Sequence, residues 1–376
     1  MKVQIGDICT PFSGFTPAAS ELFPSGKYPY FKVAEMNREA NKRVMTDTDA
    51  YVKESRKIFP KGAIVFPKNG AAIATNKKRI LGQDSIVDLN TGGVKPNADL
   101  VGTDYLFYLF QQIDFAQYMR RGAVPTLDLK SILLIEIDLP SHADQQRIVA
   151  ELDLLSGIVE KKKAQLKTLD DLAQSIFHEM FGDVKEKTTL STYVTELSGG
   201  KSLAGDEENQ YKVLKTGAVT YDYFRGDDVK NLPLDYIPRE EDRVHKGDLL
   251  ISRMNTAELV GAVAYVWDVK PNVYLPDRLW RATLTEGANP IFIWKALIQF
   301  DAKQQIRSLA SGTSGTMKNI SKPKLLSVTI PLVCRERQDA FAQRLQAIER
   351  QRNYIEESKK AAIMLFSSRM DKYFNV

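Results

Sequence analysis

Asn231-Leu232-Pro233-Leu234 is the nearest this chain comes to a base-modifying active site. An adenine methyltransferase holds the flipped amino group with an Asn/Asp-Pro-Pro-aromatic motif; the second proline and the aromatic stacker are both missing here. Ser198-Gly199-Gly200-Lys201-Ser202 ends like a phosphate loop, but Thr195 stands where the first glycine is required, so the segment reads as a turn. No Gly-x-Gly-x-x-Gly loop follows a strand-like run. His142, His178 and His245 are too far apart in sequence to form a motif, and His178 lies in a long helical stretch. The carboxylates of Asp170-Asp171 and Glu240-Glu241-Asp242 are adjacent, so on a helix they diverge and read as solvated faces. Cys9 and Cys334 make neither a CxxC zinc pair nor a secreted disulfide framework. These residues argue against self-contained catalysis and against a bound metal.

The elements that carry them come in two copies. Thr10, Phe12-Ser13-Gly14, Tyr51 and Lys61-Gly62 fall on Thr195, Leu197-Ser198-Gly199, Tyr236 and Lys246-Gly247, a constant offset of 185. The offset becomes 190 at Gly122/Gly312 and Thr126/Thr316, and 193 in the terminal helices, as small loop insertions would produce. Each Lys-Gly pair precedes an apolar, strand-like run, Ala63–Phe66 and Leu249–Ile251. The loop after each run carries a basic residue and an amide: Lys68-Asn69-Gly70 in one half, Arg253-Met254-Asn255 in the other. Tyr28–Met36 and Gln210–Val219 are β-rich, Ile132–Pro140 and Leu325–Val333 read as a last strand before a helix, and Asp104–Arg120 and Pro290–Arg307 have helical spacing.

A helical stretch closes each half. From Asp144 to Met180 an apolar seam repeats every four and three residues: Ile148, Leu152, Leu155, Val159, Leu166, Leu169, Ala173, Ile176 and Met180, interrupted by Lys162. Pro140 blocks an earlier start and Gly182 follows as a C-terminal cap. In the second copy the seam is Phe341, Leu345, Ile348, Arg352, Ile355, Lys359, Ala362, Phe366, Arg369 and Tyr373, with Ile363 and Met370 as alternative contacts. Such a helix is roughly 55 Å long, and a single stripe of that length needs a partner. The other copy is the nearest one, paired antiparallel about a pseudo-twofold axis.

The predicted fold is therefore α+β: two similar mixed α/β domains and two long helices pairing as an antiparallel coiled coil. The boundaries read as 1–140, 141–183, 184–331 and 332–376. At 376 residues and 43% hydrophobic content the chain is long enough for two or three cores. No run nears the ~18 apolar residues of a membrane span, and the opening residues lack the apolar stretch of a signal peptide, which points to the cytoplasm.

The plan resembles the specificity subunits of type I restriction–modification systems. Three paired stretches carry the likeness: SGFTPAASELFPSGKYPYFKVAEMN with SGGKSLAGDEENQYKVLKTGAV, RRGAVPTLDLKSILLIEIDLP with ASGTSGTMKNISKPKLLSVTIPL, and SHADQQRIVAELDLL with RERQDAFAQRLQAI. The last departs from its mate, with Cys334 ahead of Arg335-Glu336-Arg337-Gln338, which leaves the second helix boundary open. The resemblance implies two target-recognition domains, each reading half of a split duplex DNA site. It implies that the helices set the spacing and dock two methyltransferase subunits, with restriction (endonuclease/translocase) subunits joining them. Cofactors on this chain would be none, with S-adenosylmethionine and ATP on the partners.

Lysine and arginine serve phosphates, arginine suits guanine, and Asn or Gln suits adenine. The candidate DNA contacts are therefore Lys68, Asn69, Asn76, Lys77, Lys78, Arg79, Arg253 and Asn255 in the duplicated loops, then Arg225, Arg278, Arg281, Arg120 and Arg121. Tyr221, Tyr223 and Phe224 could reach a sugar or base, but core packing is the first reading of them. The net charge of +5 permits a polyanionic partner without requiring one. Two other readings stay open: a DNA methyltransferase with unrecognised motifs, and a duplicated assembly scaffold that never touches DNA.

Overall fold

A computed structural model describes residues 1–55, 57–120, 122–314 and 317–374. By its contacts the chain divides into two units, Met1–Ala164 with Glu356–Val376, and Gln165–Ile355. In the first unit a five-stranded sheet runs in the order Cys9–Ser13, Thr91–Pro96, Ile64–Pro67, Arg79–Leu81, Val44–Met45, antiparallel except for the last pair. A second sheet orders Tyr51–Val52, Tyr28–Phe31, Ile86–Val87, the last pair parallel. A ribbon pairs Lys2–Gln4 with Glu136–Asp138, and a hairpin pairs Met119–Arg120 with Thr126–Leu127.

The second unit repeats this plan. Its larger sheet orders Val194–Ser198, Leu279–Leu284, Leu249–Ser252, Val263–Tyr265, lacking only a counterpart of Val44–Met45. Its smaller sheet orders Val229–Asn231, Lys212–Leu214, Val273–Tyr274, again with one parallel pair. The ribbon is Lys187–Thr189 with Thr329–Pro331, and the hairpin is Ser311–Ser314 with Met317–Asn319. Only the second part of each run read as a last strand is a strand; Leu129–Leu133 and Lys322–Leu326 are short helices. Pro290–Arg307 likewise divides into two helices, Pro290–Leu297 and Phe300–Leu309, because Gln299 takes an extended backbone.

Why the inner strands are apolar without alternation follows from the pleat. Successive side chains point to opposite faces, and both faces here are covered. Ile64 and Phe66 enter the core built on helix Thr103–Gln112, while Ala63 and Val65 enter a second core with Phe31 and Met45. Leu249 and Ile251 face the core of helix Pro290–Leu297, and Leu250 faces one with Leu214 and Val219. The preceding glycines, Gly62 and Gly247, have φ of 82° and 98°. That left-handed turn is what both Lys-Gly pairs encode, since a side chain there is strained.

Two long helices span His142–Phe181 and Arg335–Tyr373. Within the first unit the start of the central helix meets the end of the C-terminal one. Ile148 and Leu152 share a core with Met370, Phe374, Phe366 and Tyr373, and Glu151 accepts a hydrogen bond from Tyr373 Oη at 2.5 Å and forms an ion pair with Arg369, whose Nε lies 2.7 Å away. Within the second unit the end of the central helix meets the start of the other. The Phe177 and Phe181 rings lie 5.6 and 5.3 Å from Phe341, and Asp170 pairs with Arg352 and Glu179 with Arg344. Both junctions require an antiparallel pair. Leu155, Leu166, Leu345, Ile348, Ile355 and Ala362 are also buried, while Val159, Leu169 and Ile176 are half-buried.

Two details differ from the seam as read. Ile363 is 45% exposed, whereas Met370 is buried. Toward the end of the central helix the stripe moves from Ile176 and Met180 to Phe177 and Phe181, because the core of helix Pro290–Leu297 approaches from that side. The basic seam positions are satisfied by ion pairs, Arg352 with Asp170, Lys359 with Glu356 and Arg369 with Glu151.

The starts of the two helices are equivalent. Gln145, 2% exposed, accepts from Gly102 N at 2.9 Å and donates to Leu100 O and Pro140 O at 3.0 and 3.1 Å. Gln338, fully buried, accepts from Asn289 N at 2.8 Å and donates to Gly287 O and Val333 O at 3.1 and 2.8 Å. Each glutamine pins a long helix to the start of its unit's core helix. This places the second helix start at Arg335 despite the altered sequence around Cys334.

Candidate nucleic-acid interface

In each unit the loop after the inner strand is hydrogen-bonded to the hairpin. Asn69 bridges Thr126, Leu127 N donates to Lys68 O at 2.9 Å, and Gly70 N donates to Pro125 O at 2.8 Å. In the second unit Met254 pairs with Asn319 and Asn255 with Lys318, and Ile320 N donates to Arg253 O at 3.0 Å. The register is the same: Asn69 corresponds to Met254 and Thr126 to Asn319. Loop and hairpin therefore form one element, built twice. The Gly/Ser/Thr stretches around Gly122 and Gly312 were the sequence signal for it, but this register sets the offset here at 193, so Gly122 does not match Gly312 nor Thr126 Thr316: Gly312 lies inside the strand Ser311–Ser314, and the partner of the hairpin was not legible.

The candidate contacts divide by where the fold puts them. Lys68 is half-buried along Gly92, and Asn69 Nδ2 reaches Leu89 O and Asn90 Oδ1 at 3.4 Å each. Lys77 is half-buried and its amine meets Asn37 Oδ1. Arg253 lies with its guanidinium 5.7 Å from the Trp280 ring centroid, and its main-chain N donates to Arg278 O at 3.1 Å. Asn255 Oδ1 accepts from Thr256 N at 2.8 Å, with Nδ2 3.5 Å from Thr220 Oγ1. Arg278 and Arg225 are exposed, and the Arg225 guanidinium is 4.5 Å from the centroid of the exposed Tyr221 ring. Tyr221 is thus a surface side chain, not core; Phe224 is core, and Tyr223 binds Glu349 of the C-terminal helix.

Four candidates hold the protein together instead. Lys78 has no exposed surface: its Nζ donates to Ile113 O at 2.7 Å and Asn76 Oδ1 at 2.5 Å and lies 4.0 Å from the Phe115 centroid. Burial pulls its amine down to about 7. Asn76 sits at φ 53° and its Oδ1 also accepts from Phe115 N at 2.9 Å, so its amide is used inside the fold. Arg79 donates to Lys78 O and Met36 O at 2.7 and 2.9 Å. Arg281 donates to Arg243 O at 2.8 Å and Glu241 O and faces Asp248. The three cations are spent on carbonyls or a carboxylate, and Asn76 on Lys78 and Phe115 N, so all four serve the fold rather than the DNA contacts. Arg120 pairs with Asp128 at 2.7 Å, and Arg121 lies outside the described residues.

Among the described residues no group of three or more His, Cys, Asp or Glu could hold a metal ion, and no helix is long and apolar enough to cross a membrane.

A family model described as the type I restriction modification DNA specificity domain matches the chain twice, over residues 1–168 and 194–365. The specificity subunit of the type I restriction enzyme MjaVIII from Methanocaldococcus jannaschii is 25% identical, the match covering 96% of this chain and 91% of that one. The EcoKI specificity subunit of Escherichia coli K12 is 22% identical over 83% of this chain and 73% of its own length. Among solved structures, the type I restriction–modification S subunit of M. genitalium shares the fold with a TM-score of 0.59, at 13% identity over 100% of this chain and 96% of that one.

Proposed function

This chain belongs to the type I restriction–modification DNA specificity family, whose domain it carries twice, and from that premise we propose how it reads DNA. It is the non-catalytic, sequence-recognising subunit of such a system, and it assembles with the system's other subunits on duplex DNA. Each unit reads one half of a bipartite target through its loop-and-hairpin element. The two helices set the spacing between half-sites and dock two methyltransferase subunits, and restriction subunits join that assembly. S-adenosylmethionine and ATP belong to those partners, and the complex works in the cytoplasm.

The observation that carries this reading is the recurrence of one loop, pinned to one hairpin in one register, with basic and amide side chains in both units. Phosphate contacts place a protein on the duplex, while amide and guanidinium groups at base edges select sequence. The test is footprinting of the complex with its methyltransferase subunit. Arg253→Ala with Asn255→Ala weakens protection at one half-site only, by about 1–3 kcal/mol per lost base contact. Equal weakening of both half-sites overturns the assignment of one element to one half-site. Methylation of DNA by this chain alone overturns the non-catalytic reading.

A further inference from the structure

Each hairpin also presents an apolar side chain to solvent two residues before the residue that meets the loop, Val124 from the turn of its hairpin and Met317 from a strand paired with Ser314. Val124 lies two residues before Thr126, which bridges Asn69, and is 62% exposed. Met317 lies two residues before Asn319, which pairs with Met254, and is 47% exposed. Scattered exposed hydrophobics are ordinary and need no explanation. Recurrence at the same distance from the loop contact of a duplicated element, beside the loop that carries the polar candidates, does need one. The two residues differ in type and shape, so what is kept is apolar character at that place, not a packing contact.

Resting on the proposed reading of DNA by these elements, we infer that Val124 and Met317 are specificity-determining residues, each seating against the 5-methyl group of a thymine in its half-site. The methyl is the one apolar feature displayed at base edges in the major groove. A side chain level with groups that hydrogen-bond those edges meets it without unstacking the duplex. The surroundings suit a polyanion: Arg278 and Lys68 flank the loops.

The experiment uses the assembled complex with its methyltransferase subunit and its mapped target, with each thymine replaced singly by deoxyuridine, which lacks only the methyl. One substitution in each half-site weakens binding about 3- to 10-fold, the scale of one methyl's burial. Val124→Ala abolishes that sensitivity in one half-site and leaves the other; Met317→Ala does the converse. Both side chains are exposed, so the variants fold. Uracil tolerated throughout, or sensitivity unchanged in the variants, overturns the inference while selective binding to the split target still supports the reading of function. Variants that weaken binding although uracil is tolerated also overturn it, in favour of a wedge between base steps. A wild-type complex without sequence preference overturns both.

Discussion

Lys77 and Lys78 are neighbours with opposite fates, and the difference is measurable. Lys77 keeps solvent access beside Asn37, whereas Lys78 is enclosed. Lys77→Ala lowers affinity for every DNA sequence alike and reduces the salt slope by about one; Lys78→Met leaves both unchanged in a binding titration against salt. Lys78 acts on stability instead. Its amine falls from 10.5 to about 7 on folding, chiefly through burial. Between those values the unfolded chain binds the extra proton, so the group's contribution rises with pH across that window and is lost as pH falls toward 7. Lys78→Met flattens this rise, read from denaturant melts at neutral pH and at pH 10. A variant with an unaltered pH profile would contradict the enclosed, readily deprotonated amine.

At the scale of elements, the paired glutamines decide how each long helix leaves its unit. Gln145→Leu or Gln338→Leu removes the side-chain partner of two carbonyls and one amide at a part-buried helix junction. Either change costs about 2–4 kcal/mol, since each of the three hydrogen bonds lost contributes about 0.5–1.5; the melting temperature reads it. Gly157 gives the opposite sign. It lies inside the central helix, and a Cβ there meets nothing within 4 Å. Gly157→Ala therefore stabilises by about 1 kcal/mol, visible as a higher denaturation midpoint with unchanged m-value.

For the whole molecule, each unit owns its hydrophobic cores. The largest in the second unit centres on Phe292, fully buried, 5.0 Å from the Phe181 ring centroid and 6.2 Å from those of Phe177 and Tyr193. Phe292→Ala costs about 3–5 kcal/mol and falls on that unit alone. Calorimetry then separates two transitions, the lower belonging to the second unit, and footprinting loses one half-site before the other. A single lowered transition would mean that the shared helices couple the units into one folding body.

The duplication, the mixed α/β plan, the inner strand after each Lys-Gly pair and the antiparallel helix pair were legible in the chain itself. They rest on periodicity, glycine and proline placement and self-similarity, which are local or repetitive and survive without coordinates. Which cation faces DNA was not legible. Lys68, Lys77, Lys78, Arg79 and Arg281 look alike as letters, and only distant carbonyls and carboxylates, such as Ile113 for Lys78 and Arg243 for Arg281, decide which are consumed inside. The same holds for the hairpin docked on the reading loop and for Phe177 displacing Ile176 from the seam. A side chain's fate is set by groups far away in sequence, and only the folded chain brings those groups to it.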